Sequence, residues 1–532
     1  MQTCFQVENE KIWTIQELEL VEDFDTVRCV KCESLFGIES GGALEHSKTH
    51  DKFYKYDLEK EAKAKEVKEK QVEFTEEKQV ELNEKLTSLK REAEKYNSEL
   101  YLAIKTALSS LAQIKISEET KPFALFFNGN ITSKEITVNS IKNIPDIFYV
   151  DAFTSKSFVT HSARHSTKQL RDIDLLPKIQ NKVMLTSNVD NIFSGNKPTV
   201  NDNIKMIDTV LEGKGYESHS AVHGVRGYTG NHNFVWLGTI NQINKRVFDA
   251  IGGMNNKPLF FRFDDSQRSE KSIEDMIKSL NEERRMLGNE VNESVEGILK
   301  VISELFSNEK KRVMWDSSKD ETEASRTIVN LSNFLMNIRA YIPTENTVES
   351  TSGGTNYNFG IPVKEDLFRL SKTLYNLARG HAIIHGRNYI TNEDLEIVIH
   401  VVMSSIPTDR LRLFEVLLSN KGIADTKQVE NHLSASIATA LKEMEKLRVL
   451  EIVEECKVNG KSKPTLAIKL KNEYSWILDD KFRQYWDSIS FIHIIENSKL
   501  TNVINNKDNL EKQTMKACDN NDKMILEVYN RY

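Results

Sequence analysis

Five short apolar runs punctuate the middle of the chain: Phe123 to Phe127, Ile147 to Val150, Lys182 to Thr186, Phe234 to Ile240 and Leu259 to Phe263. Each is rich in Val, Ile, Leu, Phe or Tyr, with little alternation of apolar and polar positions, and polar segments of helical spacing separate them. Runs of that kind are buried on both faces, so they predict the strands of a parallel sheet covered by helices, an α/β fold class. Upstream, Leu82, Leu86, Leu89, Ala93, Tyr96 and Leu100 step by four and three in a stretch almost free of Gly and Pro, which predicts a long helix with a coiled-coil seam. Its first part, residues 57–80, is too polar to bury a stripe. Downstream, residues 266–341 carry helical apolar stripes, and Thr344 to Gly360 is rich in Ser, Thr and Gly, which predicts a flexible link. Three more helices follow, over Asp409 to Leu418, Thr426 to Leu433 and Ser434 to Leu447. Two strands, Val449 to Val453 and Thr465 to Leu470, then flank Asn459-Gly460.

Ligands of open α/β sheets bind beyond the carboxyl ends of the strands. The first run is followed by Asn128-Gly129-Asn130-Ile131-Thr132-Ser133-Lys134-Glu135 and then a helix-like segment. A phosphate loop, GxxxxGK[ST], closes backbone amides on phosphate and adds a Lys and a Mg²⁺-binding hydroxyl. In that frame Lys134 is kept, Asn128 and Ser133 stand for the glycines, and Glu135 stands for Ser or Thr. The third run ends Ser187-Asn188-Val189-Asp190, which resembles the Walker B stretch of AAA+ ATPases, with Ser187 and Asn188 at the acidic pair and Asp190 at the later acid. The fourth run, ending at Asn241, resembles the sensor 1 strand of that family. The resemblance implies a nucleotide site made of Asn128, Gly129, Ser133, Lys134, Glu135, Asn188, Asp190 and Asn241, with ATP and Mg²⁺ as cofactors. Asn188 cannot accept a proton as a carboxylate can, so hydrolysis is expected to be impaired.

The same resemblance organises the rest. Lys257 falls where the family places an arginine finger. The glycine-rich run from Gly213 to Gly230 suits a hairpin, and in helicase-like relatives a hairpin before sensor 1 faces DNA, so Lys214, His223, Arg226 and His232 are expected contacts. Residues 374–387, ending Gly386-Arg387, followed by Thr391-Asn392-Glu393-Asp394, resemble the helical lid of replication-initiator and helicase-type AAA+ proteins. Lys364 and Arg369 are its candidate sensor 2 cations. The three C-terminal helices and two strands read as a winged helix, with Lys457, Lys461, Lys463, Lys469 and Lys471 on or beside the wing and DNA as partner.

Near the start, Cys29-Val-Lys-Cys32 and His46-Ser-Lys-Thr-His50 have the spacing of a tetrahedral Zn²⁺ site. The acidic residues between Phe36 and His50 favour a structural or protein-binding finger over a DNA reader. The 532 residues are 39% hydrophobic and 28% charged, as in globular chains, and the net charge of -7 means that any nucleic-acid contact must come from a local patch. No apolar run is long enough to span a membrane and the N-terminal residues lack a signal-peptide pattern, so a cytoplasmic protein is expected.

The expected architecture is a zinc-finger segment (1–55), a long helix or coiled coil (56–118), a parallel-sheet AAA+ core (119–265), a helical insertion (266–345), the lid (346–403), the winged helix (404–475) and a tail (476–532). The expected role is a DNA-associated AAA+ protein with degenerate Walker motifs, binding nucleotide weakly or structurally and working in a homo- or hetero-oligomer with AAA+ subunits. An active ATPase or helicase with non-standard site residues, and a nucleotide-independent DNA-binding regulator or adaptor, are the alternatives.

Overall fold

The computed structural model describes residues 12–14, 26–29, 35–37, 52–55, 72, 74–118, 120–162, 164–220, 224–263, 283–305, 312–348, 355–459 and 464–489. The chain forms two units. The first comprises residues 1–72 and 306–312. Its strands β1 (Ile12–Thr14), β2 (Thr26–Cys29), β3 (Leu35–Gly37) and β4 (Lys52–Lys55) make an antiparallel sheet in the order β1-β4-β2-β3. Cys29 ends β2 and pairs with Phe53 across the ladder. Cys32, His46 and His50 lie outside the described residues, so the predicted zinc site is represented here by Cys29 alone.

The second unit is built on β5 (Phe123–Asn128), β6 (Ile147–Val150), β7 (Val183–Thr186), β10 (Val235–Ile240) and β11 (Leu259–Arg262), with the antiparallel hairpin β8 (Gly215–Ser220) and β9 (Gly224–Thr229) set before β10. The five core strands run parallel in the order β11-β5-β10-β7-β6. Their apolar runs coincide with the strands because a parallel sheet buries both faces, and Phe123 to Phe127 and Val183 to Leu185 are all buried. Phe126 meets the Trp236 ring edge to face, with centroids 5.0 Å apart.

The helices that matter below are α1 (Glu76–Glu94), α2 (Ser98–Ala112), α3 (Ile131–Ile141), α4 (Lys197–Leu211), α5 (Lys245–Ile251), α6 (Glu283–Leu305), α7 (Thr322–Ile338), α8 (Leu367–Ile384), α9 (Leu395–Ser404), α10 (Thr408–Ser419), α11 (Thr426–Leu433) and α12 (Ile437–Val449). The single long helix expected upstream of the core is two. It breaks at Lys95 to Asn97, where the Asn97 side chain caps the Glu99 amide and starts α2. Leu82, Leu86, Leu89 and Ala93 are buried as their spacing required. However, α1 packs on this chain's own α2 and α6, and α2 packs on α8, so no partner helix is needed to fill the seam. The expected flexible link at 344–360 is also ordered in part, as the antiparallel strands β12 (Thr344–Val348) and β13 (Thr355–Phe359).

The lid-like motif is held by a buried charge cluster. Asp394 accepts from both Nη1 and Nη2 of Arg387, each at 2.9 Å, bonds His381 Nδ1 at 2.6 Å and caps the Thr391 amide. These contacts tie the end of α8 to the start of α9. At the other end of α9, the Ser404 and Ser405 hydroxyls accept from the Arg262 and Phe260 amides of β11. The hydroxyls therefore satisfy donors that an edge strand leaves open.

Residues 408–470 fold as α10, β14 (Ile423–Asp425), α11, α12, β15 (Val453–Asn459) and β16 (Pro464–Leu470), with the antiparallel sheet order β14-β16-β15. This module continues past the expected boundary at 475: Ile477 and Trp486 are buried, and Trp486 Nε1 donates to the Ile477 carbonyl at 2.9 Å. Tyr474 accepts from the Asn337 amide of α7 at 2.8 Å and seats the module on the helical layer. Among the described residues no helix is long and apolar enough to cross a membrane.

Candidate functional site

The tips of β5, β7 and β10 meet where the sequence placed a nucleotide site. Only Gly129 and Asn130 separate β5 from α3, because the Asn130 side chain accepts from the Thr132 and Ser133 amides and begins the helix at Ile131. Ser133 and Lys134 therefore sit in the first helical turn and Glu135 just past it, not in an open loop as the phosphate-loop frame expects. That frame needs free amides pointing at phosphate. Here two of them bond Asn130 Oδ1, and the Lys134 amide bonds the Asn130 carbonyl at 3.1 Å. The loop is also pressed against the sheet. Gly129 has φ +110°, and a Cβ on it would lie 2.6 Å from the Phe263 carbonyl, so only glycine fits.

Lys134, the one phosphate-loop residue retained, is buried at 3% exposure. Its Nζ donates to the Ile240 carbonyl at 3.0 Å and to Asn241 Oδ1 at 3.2 Å. Asn128 Nδ2 reaches the same strand tip, at 3.2 Å from the Ile240 carbonyl and 3.0 Å from that of Asn241. Asn241 in turn donates from Nδ2 to Asp190 Oδ2 at 2.5 Å and from its amide to Asp190 Oδ1 at 3.1 Å. Asn188 Oδ1 accepts from the Asp190 amide at 2.7 Å, just ahead of the short helix Asp190–Phe193. Ser187 donates to the Asp151 carbonyl and Glu135 is exposed. Asn128, Lys134, Asn188, Asp190 and Asn241 thus converge, and each is bonded to another member of the set or to the strand tips.

A Mg²⁺–nucleotide does not fit this arrangement as it stands. The ammonium is already held by two uncharged oxygens, the Thr132 and Ser133 amides are capped, and Asp190 is engaged on Asn241. Asn188, at the position where a water-polarising carboxylate is expected, is an amide and cannot act as a general base. Sequence reasoning located these residues but missed Asn130. Its signal was legible: an Asn directly ahead of a helical run is an N-cap.

Other expected site residues are placed differently. Arg226 of β9 is buried. Its Nη2 pairs with Asp174, which is fully buried and also accepts from Tyr228 Oη at 2.6 Å, while its Nε donates to the Thr160 carbonyl at 2.7 Å. As a DNA contact Arg226 is therefore corrected to an internal staple of the hairpin, since a guanidinium with a buried carboxylate partner costs too much to withdraw. His232 is buried as well, Lys214 is exposed, and His223 lies outside the described residues. Lys257, at the arginine-finger position, is buried with no partner for Nζ among the described residues, and burial pushes its pKa down to about 8. Lys364 pairs with Glu451 at 2.6 Å, and Arg369 bonds the carbonyls of Leu211 and Pro122, so neither approaches the strand tips. On β15 and β16, Lys457 is exposed and Lys469 lies 3.7 Å from Glu454. Lys461 and Lys463 lie outside the described residues. Among the described residues, no group of three or more His, Cys, Asp or Glu could hold a metal ion.

No protein-family model matches the chain, and no curated protein matches it. Among solved structures it is similar to a full-length MCM homolog from Methanopyrus kandleri, with 10% identity and a TM-score of 0.33 over 62% of this chain and 61% of that one. The chain thus spans less than two thirds of that homolog's length. It is also similar to the Aeropyrum pernix ORC1 protein solved in complex with DNA, with 11% identity and a TM-score of 0.22, covering 72% of this chain and 92% of that one.

Proposed function

We propose that this chain is an AAA+-like scaffold that has given up nucleotide chemistry and serves as a DNA-associated subunit of a larger assembly. The observation that carries the reading is the Lys134 ammonium bonded to Ile240 and Asn241 at the tip of β10. A lysine that must hold β- and γ-phosphates has to be available to them, whereas this one closes the crevice between β5 and β10. The strand order β11-β5-β10-β7-β6, the hairpin before β10 and the α8–α9 lid support the AAA+ part of the reading.

Association with DNA rests on the C-terminal module. Its helices and wing-like hairpin have the order of a winged helix, with Lys457 exposed on β15. Membership of an assembly is supported by apolar side chains left in solvent after β13 and in the first turn of α8, where Ile361 is 88% exposed and Phe368 79%. The Cys29, Cys32, His46 and His50 set is proposed to bind Zn²⁺ structurally.

The test is a titration of the purified chain with a fluorescent ATP analogue and Mg²⁺, a phosphate-release assay, and anisotropy of labelled DNA. The expected outcome is DNA binding with no saturable nucleotide binding and no phosphate release. Phosphate release that disappears in Lys134→Ala would overturn the proposal in favour of an active ATPase.

A further inference from the structure

A cleft of about 1190 Å³ opens where the α/β core meets the C-terminal module, away from the sealed strand tips. Its lining includes Lys197 at the start of α4, Lys245 and Arg246 at the start of α5, Arg410 on α10, and Lys442 and Lys446 on α12. Two carboxylates, Asp249 and Asp409, share the walls, so cations outnumber acids there although the whole chain carries a net charge of -7. Some of this charge is already engaged. Lys446 pairs with Glu443 at 2.6 Å and lies 3.8 Å from Asp409, and Arg246 Nη2 donates to the Gly195 carbonyl at 2.5 Å. Lys197 and Lys245 are exposed on the rim.

Arg410 is fixed more firmly: Nη1 donates to the Ile338 and Ala340 carbonyls at 2.6 and 2.8 Å, while its buried Nε has no partner among the described residues. The N-terminus of α10, on the same wall, has no side-chain cap. Between these polar groups the walls are apolar, with Phe248, Tyr341 and Ile342 in the lining.

Resting on the DNA-associated reading above, we propose that this cleft, and not the outer face of α12, takes a single strand of nucleic acid. Lysines at the rim meet the phosphodiester backbone and the aromatic wall takes unpaired bases. Three observations favour this occupant. The cleft exceeds the roughly 300–1,000 Å³ typical of small-molecule sites, so an extended ligand fits better than a mononucleotide. Basic rims combined with aromatic walls are how proteins hold single strands. The helix that a winged helix would lay in a major groove has Lys442 and Lys446 in the cleft wall, whereas Ile437 and Leu441 of the same helix are exposed apolar residues unsuited to phosphate.

The experiment uses the full chain and a fluorescein-labelled single-stranded 20-mer, its duplex and inorganic phosphate as probes, read by anisotropy across a salt series. The charge-reversal pair Lys245→Glu/Lys442→Glu is expected to weaken single-strand binding at least tenfold and to lower the salt slope by about 1.4, two phosphates' worth. Tyr341→Ala is expected to weaken it about fivefold or more with the slope unchanged, since stacking releases no counterions. Lys85→Glu/Lys168→Glu, which makes the same net charge change at exposed sites elsewhere, controls for long-range repulsion, and thermal melts control for folding. Single-strand affinity equal in wild type and the Lys245/Lys442 variant, or a control pair that weakens it equally, overturns the cleft proposal while leaving DNA association intact. A wild-type chain that binds neither strand form overturns the DNA reading itself. Preference for duplex, or competition by millimolar phosphate alone, overturns the single-strand assignment.

Discussion

Replacing Lys134 by Ala separates a structural lysine from a phosphate-binding one. The substitution removes three buried methylenes, a loss of roughly 2.4 kcal/mol at about 0.8 kcal/mol each. It also removes a charged donor from the Ile240 carbonyl and Asn241 Oδ1, and hydrogen bonds to charged groups contribute on the order of 1.5–3 kcal/mol each. Relief of the desolvated ammonium offsets part of this, so a net loss of about 3 kcal/mol is expected. With a urea m-value of about 3 kcal/mol/M, the midpoint should fall by about 1 M. The transition can be followed by Trp236 fluorescence, because that indole sits in the sheet adjoining the site and donates to Thr186 Oγ1. Repeating the titration with 5 mM ATP and Mg²⁺ makes the assay decisive. A working site with a Kd near 50 μM would add about 2.7 kcal/mol, a shift of similar size. The expected result is a large drop on mutation and no shift with ATP. A wild-type midpoint raised by ATP, with that rise lost in Lys134→Ala at unchanged basal stability, would refute the reasoning, and Lys134→Met, which keeps most of the stem, provides the same comparison should Ala prevent folding.

Other outcomes follow from the buried charges. Arg226→Gln should cost roughly 3–5 kcal/mol by leaving Asp174 buried without its cation; loss of DNA affinity at unchanged stability would instead return Arg226 to the DNA surface. Lys257→Met should stabilise the chain by about 3 kcal/mol at pH 7, since its pKa falls from 10.5 to about 8 on folding. Because the unfolded state then holds the extra proton between pH 8 and 10.5, wild-type stability should rise with pH across that window and the variant's advantage should shrink, as paired urea titrations at pH 7 and 10 would show. Burial pushes His400 down to about 4 and His385 to about 3, from 6.5. The unfolded chain takes up these protons as pH falls through 6.5 and the folded chain does not, so stability is full above pH 6.5 and drains between 6.5 and 4; His400→Phe should flatten that slope measurably. Metal analysis of the purified chain should find one Zn²⁺ per chain, lost in Cys32→Ser, and a metal-free wild-type protein would remove the zinc proposal.

Whereas the strand expected at Val449 to Val453 forms at Val453–Asn459 and β14 was not foreseen, the sequence by itself determined the five core strands, the hairpin ahead of β10, the capped turn that leads into α9 and the helices α10, α11 and α12. All of these are written in short-range signals: unbroken apolar runs, glycine spacing, and Thr391 three residues ahead of Asp394. It also placed Asn128, Lys134, Asn188, Asp190 and Asn241 at strand tips, which parallel topology then brings together. What it could not determine is which way a charge is spent. Lys134 in a polar loop looks free, and only the arrival of β10, more than a hundred residues later, supplies the carbonyl that captures it. Arg226 reads as basic surface until Asp174 is folded beneath it, and α1 reads as half a coiled coil until α6 covers its seam. Local pattern sets where elements form, whereas the partner of a polar or apolar group is fixed by desolvation across long separations, and tertiary structure alone decides that.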